Sequence, residues 1–173
     1  MSAPFVSETY NVTSGILAFP DHYVAKAVTI ASNDANAVTR GSAKVVPAGT
    51  VWPSNDANAE GILLNDAFIT NGDTSAAVIM HGFIRKSALP TGAVALTYNA
   101  TGDGTTTDFD LPDVPAAVTE VKVDGTATTA YTLDGNTIKF TSAPANTKAI
   151  VVKYTVTGAS SAAKAVLPMI AFI

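Results

Sequence analysis

The chain has 173 residues, of which 47% are hydrophobic and only 14% are charged. This composition excludes an intrinsically disordered chain, which would be rich in charge and poor in apolar residues. The 10 Lys and Arg residues against 14 Asp and Glu residues give a net charge of -4, and no basic cluster is present to neutralise a row of phosphates, so we expect no nucleic acid as a partner.

Residues 1–25 are interpreted as an N-terminal arm. The apolar side chains of this segment follow neither a helical nor a strand period, and the segment closes near Pro20. Such a segment is expected to become ordered only by packing on something else. The arm residues predicted to contact a partner are Phe5, Val6, Tyr10, Ile16, Leu17 and Phe19.

Residues 26–96 are predicted to form a β domain of short strands separated by turns. The runs at 61–64 and 77–84 are continuously apolar, which predicts strands covered on both faces. Within the second run, simple alternation puts His81 on the same face as Ile79 and Phe83.

One hexapeptide, Ser-Asn-Asp-Ala-Asn-Ala, occurs at residues 32–37 and again at 54–59. Internal duplication is one interpretation of this pair. Convergent loop chemistry is favoured, because the flanking sequences share nothing and six residues are too few for a structural repeat.

Residues 97–157 are predicted to be a separate, inserted β-sandwich of five or six short strands. Apolar and polar residues alternate cleanly here, and Asp-Gly pairs at 124–125 and 134–135 mark turns, the second of which is predicted to be type I′. The residues predicted to form its core are Leu111, Val121, Val123, Ile138, Phe140, Ile150, Val152 and Tyr154.

The C-terminal residues 158–173 are assigned to the first β domain. Ser160 or Ser161 is expected to cap a short helix that Pro168 ends, and the last five residues are predicted to be a strand. This strand does not continue the alternation of residues 97–157, which is the reason for interpreting that unit as an insertion. The apolar tract at 162–173 is far shorter than the roughly 20 residues that span a bilayer, so we expect no membrane partner.

Residue sets that support catalysis are scarce. The chain has no cysteine, which removes thiol nucleophiles and thiolate metal sites, and it has no Walker A, Gly-x-Gly-x-x-Gly or His-Glu-x-x-His motif. The two histidines are His22 and His81. A half-buried structural role is favoured for His81 over a general base, and a local contact with Asp21 is favoured for His22. We therefore expect no enzyme and no cofactor.

Two further features have a ligand-binding and a structural interpretation. Asp103, Asp108, Asp110 and Asp113 form an acidic cluster, but calcium needs six to eight converging oxygens. Because Asp103 belongs to a turn and no closing Glu is present, a solvated strand face is favoured. For Trp52, the single tryptophan, core packing is favoured over a platform for ligands.

Three motifs in the first β domain resemble the head decoration proteins of tailed bacteriophages, the lambda decoration protein-like family. They are Pro-Ala-Gly-Thr-Val-Trp at 47–52, Glu-Gly-Ile-Leu-Leu-Asn-Asp-Ala at 60–67 and Ala-Ala-Val-Ile-Met-His-Gly-Phe-Ile at 76–84. Residues 162–170 look like the final helix and strand of that family. Within the insertion, the segments 102–112, 121–125 and 137–144 are similar to small β domains on phage fibres.

This resemblance implies an all-β, non-catalytic structural virion protein with a short C-terminal helix. It further implies a homotrimer on the outer capsid surface, made in the bacterial host cytoplasm, whose arm contacts the major capsid protein. Compact decoration proteins lack the insertion. An alternative function is therefore a head-fibre or adhesin-type module that binds host-surface glycans or proteins through residues 97–157.

Overall fold

The structure is a computed structural model that describes residues 15–173. Within this range the chain forms 15 strands, one 3-10 helix and one short α-helix, and the strands assemble into four sheets. The predicted all-β class with a short C-terminal helix is confirmed.

The elements fall into three groups along the chain. The first group comprises β1 (Val24–Ile30), β2 (Val38–Arg40), β3 (Ala43–Val46), β4 (Val51–Trp52), β5 (Gly61–Leu63), β6 (Ala67–Phe68), β7 (Thr74–Ile84) and the 3-10 helix (Lys86–Ala88). The second group comprises β8 (Ala93–Thr101), β9 (Asp108–Asp110), β10 (Ala117–Val123), β11 (Thr126–Ala127), β12 (Tyr131–Asp134), β13 (Thr137–Phe140) and β14 (Ala149–Thr157). The third group comprises α1 (Ser161–Val166) and β15 (Ile170–Phe172).

The long strand β7 organises the first and third groups. One edge of β7 pairs antiparallel with β1. Its other edge pairs with β5 at residues 78–79 and then, in parallel, with β15 at residues 82–84. The C-terminal strand therefore lies in the same sheet as β1, β4 and β5.

Both faces of this five-stranded sheet carry a hydrophobic core. Val78 and Leu63 pack on one face under the three-stranded sheet β2-β3-β6. Ile79 and Ile62 pack on the other face, against α1 and the segment around Leu17. All three residues of β5 are buried, so the prediction of a strand covered on both faces is confirmed for β5.

A register shift interrupts the pairing of β7 with β1. Val24 pairs with His81 while the next residue, Ala25, pairs with Ile79, so Met80 has no partner on β1. An extra residue of this kind reverses which side chains point to which face of the sheet.

The reversal changes the surroundings of the second half of β7. Ile79 and Ile84 belong to the same core although they are five residues apart, which strict alternation does not allow. The prediction that His81 and Phe83 share a face with Ile79 is therefore wrong. Full coverage of residues 77–84 was also expected, but Met80 is 43% exposed, because it projects from the shift.

The second group forms a β-sandwich of two sheets, β11-β10-β14-β8 and β12-β13-β9. It has seven strands rather than five or six. Strand β8 pairs with β14 along its whole length, from Ala93 opposite Thr157 to Thr101 opposite Ala149. Residues 93–96 thus pair with the sandwich, which moves the predicted boundary from 97 to 93. We call residues 93–157 the sandwich and the other described residues the body.

The sandwich encloses its own hydrophobic core. Phe109 and Phe140 meet edge to face, with ring centroids 5.7 Å apart. Val123 is only half-buried, because it is the last residue of β10 before a turn. The other residues predicted for this core are buried, namely Leu111, Val121, Ile138, Phe140, Ile150, Val152 and Tyr154.

The two Asp-Gly turns of the sandwich differ. Asp124 and Gly125 have φ values of 51° and 77°, the two positive values that a type I′ turn requires. In the second hairpin Asp134 pairs with Thr137, so the loop residues are Gly135 and its successor, and only the glycine has a positive φ. The type I′ assignment to 134–135 is wrong, because that aspartate belongs to the strand.

A hydrogen-bonded junction holds the segment after the sandwich against the body. Ser160 caps α1, as predicted, with its Oγ accepting from Ala163 N at 3.1 Å. Asn55 Nδ2 donates to Gly158 O at 2.7 Å, and its Oδ1 accepts from Ser160 N at 2.7 Å. Ser160 Oγ in turn donates to Asn55 O at 2.9 Å.

The sandwich contributes a second set of contacts to this junction. Asp113 Oδ1 accepts from Ser161 N at 2.6 Å, and Ser161 Oγ donates to Pro112 O at 2.9 Å. Tyr154 Oη donates to Asp113 Oδ2 at 3.4 Å. Burial, followed by the nearby Asp113 charge, raises the pKa of Tyr154 to about 12. The start of α1 is therefore fixed from both the body and the sandwich.

Asn55 belongs to the second copy of the repeated hexapeptide. In each copy the aspartate accepts from the backbone N–H two residues later, Asp34 from Asn36 at 2.8 Å and Asp56 from Asn58 at 2.7 Å. The two copies build the same turn but lead into strands of different sheets. Asn33, which corresponds to Asn55, is exposed.

We predict that Asn55→Ala lowers the free energy of unfolding by about 1–3 kcal/mol, because it removes the side-chain partners of Gly158 O and Ser160 N. The matched substitution Asn33→Ala should change this free energy by less than about 0.5 kcal/mol. Chemical denaturation of both variants provides the measurement. Equal effects at the two positions would show that Asn55 does not secure the junction.

We also predict that Phe140→Ala destabilises the sandwich by about 3–5 kcal/mol, since it opens a cavity beside Phe109. Leu133→Ala, at a position that is 43% exposed, serves as the control. Amide hydrogen exchange of the sandwich reports its stability, while Trp52 fluorescence reports the body. A loss below about 1 kcal/mol would contradict the assignment of Phe140 to a close-packed core.

Candidate functional site

The acidic cluster does not converge on a cation site. Asp103 accepts from Thr105 N at 2.8 Å, Thr106 N at 2.7 Å and Thr106 Oγ1 at 2.6 Å. These bonds, the Thr106 hydroxyl first, hold the pKa of Asp103 well below its usual range. The carboxylate therefore stabilises its own loop.

The other three acidic residues have separate partners. Asp108 accepts from Thr107 Oγ1 at 2.9 Å and Asp110 from Thr137 Oγ1 at 2.6 Å, while Asp113 belongs to the junction. Across residues 15–173, no group of three or more His, Asp or Glu side chains is placed to hold a metal ion. Asp108 and Asp110 lie on an exposed strand face.

The indole of Trp52 is half-buried against the core beneath the three-stranded sheet. The Lys26 ammonium lies 5.4 Å from the ring centroid and pairs with Glu60. A paired ammonium over the ring leaves that face closed to a stacking ligand. Trp52 accordingly has the surroundings of a packing residue.

The described surface includes two open depressions. One, of about 310 Å³, lies at the junction and includes Lys86, Leu89, Lys164 and Phe172 in its lining. The other, of about 390 Å³, lies at one end of the sandwich beside Phe140. No carboxylate or imidazole lines either depression, so neither offers the usual general base of a catalytic site.

The most distinctive surface is a cluster of apolar and aromatic residues around the second half of β7. Phe19 meets Phe83 edge to face at 5.2 Å between ring centroids. His22 lies 5.3 Å from His81 and 5.9 Å from Phe83, and Val24 pairs with His81 across the strands. We call these five residues the open aromatic face.

The register shift explains why this face is open. The three-stranded sheet covers β7 near Val78, and the shift at Met80 then turns His81 and Phe83 to a part of this face over which residues 15–173 place no second sheet. Phe19 is 51% exposed and Val24 is 57% exposed. Contiguous exposed apolar residues commonly mark an interaction surface.

The described end of the arm adjoins this face but is partly built into the body. Ile16 is 3% and Leu17 is 8% exposed; Leu17 bridges to Ile84, and Ala18 N donates to Phe83 O at 2.8 Å. The assignment of Ile16 and Leu17 as contacts for a partner is therefore corrected, because they fill the chain's own core.

Among the predicted contact residues that the structure describes, Phe19 is exposed and lies on the open aromatic face. Phe5, Val6 and Tyr10 lie outside the described residues. Sequence reasoning did not assign Val24, Phe83 or the histidine pair to this surface. Their proximity depends on the register shift, for which the sequence carries no recognisable signal.

No protein-family model matches the chain, and no curated protein matches its sequence. Among residues 15–173, no helix is long and apolar enough to cross a membrane.

Proposed function

We propose that the chain is a structural virion protein that decorates and stabilises the outer surface of a bacteriophage capsid. In this proposal it acts as a homotrimer, the major capsid protein is its partner, and the sandwich points away from the capsid. The observation that carries the proposal is the open aromatic face, an apolar surface on which Phe19 and Val24 are exposed, beside the point where the arm joins the body.

The motifs that resemble decoration proteins support this proposal because they build the body around that face. The motifs at 47–52 and 60–67 contain strands β4 and β5, and the motif at 76–84 forms most of β7. The glycine of the second motif, Gly61, lies so close to Val78 and the Ile79 carbonyl that a side chain would collide with them. A small residue at this place lets β5 lie against β7.

The composition of the face suits binding to another protein rather than to a small ligand. It presents edge-to-face rings with an exposed valine, features that add buried apolar area when a partner docks. A homotrimer would present three such faces. Once one face is bound, the other two are held near the capsid at a high effective concentration, which increases the overall affinity.

The position of the sandwich supports outward display. The junction attaches it on the side of the five-stranded sheet that carries Ile79, since Ala159 belongs to that core and Leu89 packs against it. The open aromatic face is on the opposite side of the same sheet. Docking through this face would therefore leave the sandwich on the outside.

The alternative is a head-fibre or adhesin-type module in which the sandwich binds host-surface glycans or proteins. Binding to sugars commonly uses exposed aromatic rings. In the sandwich Phe109, Phe140 and Tyr154 are buried, and Tyr98 and Tyr131 are half-buried against the same core. This distribution favours display of the sandwich over glycan binding.

We predict that Phe19→Ser weakens co-sedimentation with heads of the phage that encodes the chain by at least tenfold in affinity, because it removes an exposed ring from the docking surface. Leu133→Ser is the matched control, since Leu133 is 43% exposed but lies on β12 of the sandwich, which the proposal points away from the capsid. The binding isotherm is measured by sedimenting heads with increasing protein.

Two results would contradict the proposal. One is the absence of wild-type protein from the pellet at any concentration. The other is an equal loss of binding in the two variants, which would indicate that the open aromatic face has no special part in attachment.

A further inference from the structure

The only two histidines of the chain meet on the open aromatic face. His22 lies just before β1 and His81 lies in β7, yet their ring centroids are 5.3 Å apart with the ring planes at 62°. His22 is exposed and His81 is half-buried, so a dissolved ion can reach both rings. Neither residue has a part in the two cores of the body.

We propose that this pair binds one divalent transition-metal ion, with Zn²⁺ as the reference ion. Imidazole nitrogen is a preferred ligand of zinc, copper and nickel. The two rings would supply two ligands and water would fill the remaining positions, since no third His, Asp or Glu of residues 15–173 joins the pair.

The separation of the rings matches such a site. A zinc–nitrogen bond of about 2.0–2.1 Å, plus roughly 1.1 Å from the nitrogen to the ring centroid, puts each centroid about 3.2 Å from the ion. At a tetrahedral angle, two such centroids are about 5.2 Å apart, and the observed separation is 5.3 Å. The ring centroids therefore have the separation of two imidazoles that share one tetrahedral ion.

An ion at this position would connect two parts of the chain. His22 lies in the connection between the Leu17 bridge and β1, whereas His81 belongs to the central strand. Binding would hold that connection, including Phe19, against β7. Two protein ligands bind zinc more weakly than the four of a structural site, so we expect a dissociation constant in the micromolar range. This inference does not depend on the capsid role.

The test is a calorimetric titration of the full chain with zinc chloride in a buffer that does not chelate metals. We expect one ion per chain, and at least tenfold weaker binding for both His22→Phe and His81→Phe. Phenylalanine keeps an aromatic ring in place but removes the ligand nitrogen. Phe19→Ser, which leaves both imidazoles, should retain binding within about threefold of the wild-type affinity.

A second measurement needs no variant. In proton NMR spectra of the wild-type chain, the imidazole C–H resonances of both histidines should shift together as zinc is added, with one shared midpoint. The proposal is overturned if zinc fails to bind, if binding persists in both phenylalanine variants, or if only one histidine responds.

Discussion

The pairing of β7 is the constraint on which the rest of the body depends. This one strand accepts β1 on one edge and β5 followed by β15 on the other, and its side chains enter cores on both faces of the sheet. Gly82 has a φ of 151°, and a side chain there would lie 3.2 Å from Tyr23 Cβ. The strand therefore passes close to the connection that carries His22, on the side of the sheet that carries Ile79. The register shift turns His81 and Phe83 to the other side, where they meet Phe19 and His22.

The sequence predicted the sandwich better than the body, for a physical reason. Each sandwich sheet has one face in the core and one in water, so its apolar residues alternate, as Ile150, Val152 and Tyr154 do. In the body, β5 and much of β7 are covered on both faces. Continuous apolar runs reveal that a strand is buried but not which side chains share a face, so the shift at Met80 was not predictable.

The candidate surface was predictable only in part. Apolar residues that follow neither a helical nor a strand period can pack in the chain's own core or remain exposed as a contact surface for a partner. The sequence does not distinguish these two cases. The structure distinguishes them: Leu17 bridges to Ile84 and is part of the core. Phe19, two residues later, is exposed. His22 and His81 are far apart in the sequence and meet through strand pairing alone. Local chemistry was easier to interpret, because the Asp103 loop forms its bonds within three residues.

The central claim is that the open aromatic face docks on the capsid while the sandwich points outward. A cryo-electron microscopy reconstruction of decorated phage heads tests it most directly. The account predicts three copies around a common axis, with Phe19 and Phe83 against the major capsid protein and the sandwiches as the outermost density. A reconstruction in which the sandwich contacts the capsid and the open aromatic face points into solvent would contradict it.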